Sequence, residues 1–319
     1  MEKTLLKLLP ETKENFPLAT NSTFKVGGPA RYFFIAKTKQ DIIKAVKAAI
    51  KLNIPYLLIG WGANILISDK GFEGLVIKIQ NTKYKIQNNY IEAEAGALTS
   101  FLATIAASAN LTGLEFAQGI PGTLGGAIYG NAGAFGKSVS DIVEKVEVLK
   151  IDKKNTKRDF LAKDDCQFGY RESIFKKSKN WIILSAKLRP LKGNSKEIQK
   201  KMREYGQYRK ERQHLQSFSA GSVFKNFKIE PSFKMLKKFP EFKKFINSGF
   251  IPAGYLIDKA GCKGMKIGAA IVSEKHANFI VNQGGAKAKD IFELSRVIKG
   301  KVFQKFGIKL EREIQLIGF

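Results

Sequence analysis

Proton-transfer chemistry has few side chains to draw on in this chain. The only histidines are His214 and His276, and neither has a carboxylate at metal-ligand spacing. No metal site is expected. The two cysteines, Cys166 and Cys262, lie far apart and form no CxxC pair, which fits a reduced, cytoplasmic chain without a zinc framework. A Ser-His-Asp set would lack the GxSxG elbow. A proton must then come from Ser, Glu, Lys or Tyr. Two islands offer such groups. Phe168-Gly169-Tyr170-Arg171-Glu172-Ser173 sets one of the few arginines among aromatics. Ser219-Ala220-Gly221-Ser222-Val223-Phe224-Lys225-Asn226 is a small-residue turn followed by a basic and an amide side chain. Taken singly, a solvated arginine and a Ser/Thr turn are the simpler readings of the two.

Three glycine segments could cradle phosphate. Gly60-Trp61-Gly62-Ala63-Asn64 follows an apolar strand, but Ile65-Leu66-Ile67 after it is extended and no third glycine opens a helix. It reads as a turn between strands, with Asn64 able to take a positive φ. Such a turn is either a simple connection or an anion nest of backbone N–H groups. Gly133-Ala134-Phe135-Gly136-Lys137-Ser138 imitates a P-loop, but Asn131 stands where the first glycine is required. Residues 119–136 hold seven of the 29 glycines. So dense a run suits a backbone that must approach a planar or phosphorylated ligand closely, or a glycine-rich buried turn.

The elements around these segments are mixed. A strand at 30–36 leads to Thr38, a helix N-cap with Asp41 in the first turn. Strands follow at 56–59 and 74–79, and Asn88-Asn89 joins a hairpin of 84–87 and 90–93. An apolar helix covers 98–109, strands cover 143–151 and 181–188, and a charged helix covers 195–213. The last helix runs over 290–306 and the last strand over 310–317. With 319 residues the chain suggests about two domains at ~100–200 residues each, and the pattern is α+β. No apolar run reaches the ~20 residues of a membrane span, and no signal peptide is read at the N-terminus. The net charge is +27, which favours polyanionic partners. Lysine far outnumbers arginine, however, and nucleic-acid readers favour the arginine fork. Six phenylalanines among lysines at 224–245 read as a base-stacking surface or as an amphipathic helix with core contacts, and the second reading is preferred.

The islands occur in an order that resembles the UDP-N-acetylenolpyruvoylglucosamine reductase family. The parts are NSTFKVGGPA at 21–30, the GxGxN turn at 60–64, GIPGTLGGAIYGNAGAFG at 119–136, FGYRES at 168–173, SAGSVFKN at 219–226, AGYLIDKAGCKGMKIG at 253–268, SEKHANFIVN at 273–282 and LEREIQLIG at 310–318. The resemblance implies an FAD-binding domain of the vanillyl-alcohol-oxidase (PCMH) type in two subdomains, plus a smaller α+β substrate-binding domain. The expected boundaries are 1–80, then 81–210 with a returning strand at 307–319, then 211–306.

It also implies noncovalent FAD, NADPH as reductant, and reduction of the enolpyruvyl ether of UDP-N-acetylglucosamine to UDP-N-acetylmuramate for peptidoglycan synthesis. The protein would be a cytoplasmic monomer with no nucleic-acid or membrane partner. By position, Asn21, Gly60, Trp61, Gly62, Ala63, Asn64, Gly119, Ile120, Pro121, Gly122, Gly125, Gly126, Asn131 and Gly133 would hold FAD. Arg171, Ser222 and Glu313 match catalytic positions, and Lys225, Asn226 and His276 match positions near the substrate. The chain departs from the family at Trp61, where glycine is usual, at Ala63, where serine is usual, and at Phe227, where proline is usual. Residues 227–251 look like an insertion. The path from Arg171 to the helix at 195 lacks the tyrosine-bearing loop of one subclass.

The implied chemistry assigns roles. Hydride at C3 of the ether builds negative charge on C2 and its carboxylate, which Arg171 would stabilise. Ser222 would give C2 its proton. Glu313 would either hold Arg171 or relay a proton. An oxidase on the same fold and a basic nucleic-acid binder remain the competing readings.

Overall fold

Thr38 starts the first long helix. In this computed structural model, which describes residues 2–152, 155–212, 217–229 and 233–319, its hydroxyl accepts from Asp41 N at 3.1 Å. Asp41 Oδ2 in turn accepts from Thr38 N at 2.9 Å. This capping box satisfies two N–H groups that the helix cannot satisfy itself. The helix Lys39–Lys51 then buries Ile42, Ile43, Val46 and Ala49 on one face. That face packs on the strands Pro29–Ala36 and Phe72–Ile79. These two and Tyr56–Ile59 run parallel, with Lys13–Pro17 antiparallel at the edge. Residues 74–79 are buried without alternation, as a strand covered on both faces must be.

A second sheet is wholly antiparallel, in the order Asn155–Ala162, Val143–Asp152, Trp181–Leu188, Tyr90–Glu94, Tyr84–Gln87. Asn88 and Asn89 turn its hairpin with φ of 48° and 65°. Two successive positive φ values match the right-handed twist of the flanking strands, and asparagine tolerates them. Glu147 is buried in this sheet. Burial alone would raise its carboxyl, but hydrogen bonds from Lys39, Ser185 and Arg158 together hold it below the usual range. The helices Thr99–Ser108 and Leu124–Tyr129 contribute to the apolar core beside this sheet.

By internal contacts the chain divides into two units. The first comprises Met1–Pro17, Pro29–Gly62 and Phe72–Glu211, and the second Leu18–Gly28, Ala63–Gly71 and Arg212–Phe319. In the second unit, Ala288–Phe306 packs on the strands Lys266–Ile267 and Ala270–Val272. Ile280–Asn282 completes that antiparallel sheet. The final strand is shorter than its apolar pattern predicts, Gln315–Ile317, and pairs in parallel with Ile65–Ile67 in this same unit. It does not join the sheet formed by residues 84–188.

Residues 224–245 are not one helix. Phe233–Lys238 is a short α-helix, and Pro240 opens a separate 3₁₀ segment, Pro240–Ser248. Proline cannot continue the preceding turn, and it pushes Phe239 out of helical conformation. The aromatics turn inward. Phe242 is fully buried, and Phe239 lies 5.2 Å from both Phe242 and Phe306. Among the described residues no helix is long and apolar enough to cross a membrane.

Candidate functional site

The first unit brings two glycine segments into contact. A Cβ on Gly60 would stand 2.4 Å from Thr123 Oγ1. Thr123 caps Leu124–Tyr129 by accepting from Gly126 N at 3.3 Å, so part of the glycine run is helical. Gly62, not Asn64, supplies the positive φ of the turn, at 75°. Trp61 between the two glycines is 49% exposed.

The glycines of the longer run divide by cause. Gly125 donates its N–H to Ala95 O at 2.8 Å, and a Cβ there would lie 3.0 Å from the Ala95 Cβ. A Cβ on Gly133 would meet Lys137 O at 2.4 Å. Internal packing explains these two. It does not explain Gly122 or Gly126. Gly122 (φ 148°) has nothing within 4 Å of an added Cβ, and Gly126, exposed and helical, meets only Thr123 Oγ1 at 3.5 Å. Gly122 needs glycine for its φ of 148°, whereas Gly126 has neither a packing nor a conformational need for it, and the open space there admits a ligand. Ile120 is half-buried beside them and Pro121 exposed.

Gly119 (φ 73°) points its missing side chain at Arg209, whose Cδ would be 3.2 Å from a Cβ. Arg209 is 7% exposed. Its Nη2 donates to Phe116 O at 3.2 Å, and its Nε is buried without a partner. Burial lowers its pKa. Phe135, stacked on Tyr205 at 3.9 Å, has its ring 5.2 Å from the guanidinium. The Nε has no accessible surface, so it is covered by the protein itself and does not face a ligand space. Sequence reasoning missed Arg209, because within a lysine-rich helix nothing in its spacing sets it apart from solvated neighbours.

Arg171 sits at φ 56°. Its Nη2 donates to Gly133 O at 2.7 Å and its Nη1 to Asn131 O at 3.4 Å. Asn131, expected to hold cofactor, ties these segments together. Its Nδ2 donates to Gly169 O at 2.8 Å, and its Oδ1 accepts from Ser140 N at 3.2 Å. Ser173 Oγ donates to Tyr129 O at 2.7 Å. The aromatic island and the glycine run are thus one hydrogen-bonded piece. Tyr129 within it has its pKa raised, by burial first and then by Glu172.

The second unit holds the remaining positions. Gly221 (φ 73°) turns the chain, with its N–H donated to Ser219 Oγ at 3.3 Å. The half-buried Ser222 bridges to Phe279. On the other side, Phe224 bridges to Arg312 and Val223 O accepts from Glu313 N at 2.8 Å, so Glu313 stands across from the residue after Ser222. Asn64 Nδ2 donates to Glu313 O at 3.2 Å, and Asn64 O accepts from Gln315 N at 3.0 Å. Asn64 therefore braces the segment that carries Glu313.

Asn278, which sequence reasoning did not single out, clamps Phe224. Its Oδ1 accepts from Phe224 N at 3.0 Å and its Nδ2 donates to Phe224 O at 2.8 Å. Lys225 is buried and pairs with Glu311 at 2.7 Å. Asn226 Oδ1 accepts from Ala253 N at 3.1 Å, at the start of the helix Ala253–Lys259. His276 Nδ1 accepts from Asn278 N at 3.3 Å, which leaves Nε2 to carry the proton. Burial lowers the His276 pKa, against a backbone hydrogen bond that raises it, and Lys263 adds a smaller lowering. Asn21 lies in the segment Leu18–Gly28 of this unit and donates to Thr20 Oγ1 at 3.2 Å. Ala63 opens the segment Ala63–Gly71.

Residues 30–154 match a family described as FAD binding domain, and residues 213–317 match the C-terminal domain of UDP-N-acetylenolpyruvoylglucosamine reductase. The reductase of that name from Caldanaerobacter subterraneus subsp. tengcongensis is 41% identical over 305 residues, covering 95% of this chain and 93% of that protein. The one from Clostridioides difficile is 38% identical, covering 97% and 94%. The crystal structure of the Thermus caldophilus reductase is similar with a TM-score of 0.75 and 31% identity, over 96% of this chain and 98% of that one. The fold is therefore α+β with an FAD-binding domain of the expected type. The chain belongs to the UDP-N-acetylenolpyruvoylglucosamine reductase family and is an FAD-containing oxidoreductase.

Proposed function

We propose that this chain reduces the enolpyruvyl ether of UDP-N-acetylglucosamine to UDP-N-acetylmuramate, with NADPH as reductant, in cytoplasmic peptidoglycan precursor synthesis. It acts as a monomer, with FAD held noncovalently. The observation that supports this reading is the pairing of the Glu313 backbone with Val223, the residue that follows Ser222. The open backbone at Gly126 fits the close approach of a bulky cofactor. Gly60, Gly62, Gly119, Gly122 and Gly126 are the residues that would hold it. Bound FAD would supply the hydride transfer that links NADPH to the sugar ether.

Adding hydride at C3 of the ether leaves negative charge on C2 and the carboxylate. Arg171 meets that charge, held in place beforehand by the carbonyls of Asn131 and Gly133. One such preorganised donor is worth about 10²–10³ in rate. Ser222 Oγ then delivers its proton to C2. A serine is a weak acid, so the step relies on fixed geometry and on charge already stabilised. Glu313 restores the Ser222 proton or positions the charged groups around it. Lys225 and the neutral His276, through Nε2–H, bind the diphosphate and sugar, and Asn226 fixes the segment that follows.

The purified protein should be yellow, and heat or acid should release its flavin intact. NADPH should bleach the absorbance near 450 nm, and the enolpyruvyl sugar nucleotide should restore it without oxygen. Bleaching by a hydroxylated donor, with recovery only in oxygen, would favour an oxidase instead.

A further inference from the structure

Trp61 stands in water on a turn that otherwise consists of glycine and small residues. It is 49% exposed, and its indole has no hydrogen-bond, ring or cation partner among the described residues. The other tryptophan, Trp181, is half-buried with Lys150 Nζ 5.1 Å over its ring. Fully burying a large apolar side chain is worth roughly 1.5–3 kcal/mol, so covering the exposed half of this indole would be worth about half of that.

The neighbouring backbone suggests what would cover it. Gly60 abuts Thr123, at 2.4 Å from a Cβ to the hydroxyl. Gly126, whose N–H Thr123 caps, carries the open space that internal packing does not explain. The indole thus projects from the turn that touches the open segment.

We infer that Trp61 lies against FAD once the cofactor is bound and shields its diphosphate from water. The indole contributes apolar area, and its N–H can donate to a phosphate oxygen. This rests on the placement of FAD at 60–64 and 119–133. The residue is a clamp on the cofactor and takes no part in hydride or proton transfer.

The test is the rate of FAD release from the holoprotein, followed by the fluorescence of free flavin after dilution. Trp61→Gly should release FAD about tenfold faster, the change expected from losing roughly half of a large side chain's burial. Trp61→Phe should recover most of that difference. Release from Trp61→Gly at the wild-type rate would overturn the inference, as would a Trp61→Phe rate equal to that of Trp61→Gly. Gly126→Val tests the underlying placement, since an added Cβ there meets only Thr123 Oγ1, at 3.5 Å. A folded Gly126→Val protein with full flavin would overturn the placement and the Trp61 role together. Loss of flavin from Gly126→Val with normal release from Trp61→Gly would overturn the Trp61 role alone.

Discussion

His276 shows how one lone pair fixes a side chain's charge. Its Nδ1 accepts the Asn278 N–H at 3.3 Å, and protonating Nδ1 would break that bond. Burial disfavours the cation and outweighs a backbone hydrogen bond that favours it, and Lys263 adds a smaller push in the same direction as burial, so the folded pKa lies below the ordinary 6.5. The unfolded chain then binds the proton more readily. Stability from this residue is complete above 6.5 and is lost as pH falls through the lower folded value. His276→Gln has no such titration. The difference in melting temperature between wild type and His276→Gln should therefore shrink as pH drops from about 7.5 to 5. A gap that stays constant, or widens, would contradict the neutral assignment. In the sequence His276 was visible as one of two histidines, the other of which, His214, lies outside the described residues. Asn278, which clamps Phe224 on both sides, was not. An amide that bonds residues 54 positions away leaves no local pattern.

Elements governed by local physics were legible. The Thr38 capping box and the Asn88-Asn89 hairpin form where neighbouring residues alone dictate them. The strand Asn155–Ala162 was missed, because an exposed edge strand with polar residues on both faces shows no alternation. The glycine run reads in the sequence as one loop, for a ligand or as a buried turn, whereas its centre is a short helix and two of its glycines serve internal packing. This division predicts opposite effects for adjacent residues. Gly125→Ala should destabilise the flavin-free protein by about 1–3 kcal/mol, since its methyl meets Ala95 at 3.0 Å. Gly126→Ala should leave that stability unchanged or raise it by up to ~1 kcal/mol. Denaturant melts of the two apoproteins decide, and equal effects would contradict the division.

At the scale of the whole molecule, the second unit recruits Leu18–Gly28 and Ala63–Gly71 from the N-terminal half. Gly28 approaches so closely that a Cβ would stand 2.2 Å from Asp69 O, and Ile65–Ile67 pairs with Gln315–Ile317. Such partners lie up to 250 positions apart in sequence. Periodicity cannot reveal them, and only the resemblance across the chain pointed to a returning strand. The expected catalytic residues are likewise divided, with Arg171 in the first unit and Ser222 and Glu313 in the second. The central claim is that these residues serve one half of the reaction. Stopped-flow absorbance of Ser222→Ala tests it most directly. Reduction of the flavin by NADPH uses no C2 proton and should keep its wild-type rate. Reoxidation by the enolpyruvyl sugar nucleotide should slow by about 10²–10⁴, the range for a lost general acid. Normal reoxidation, or equal slowing of both halves, would contradict Ser222 as the proton donor.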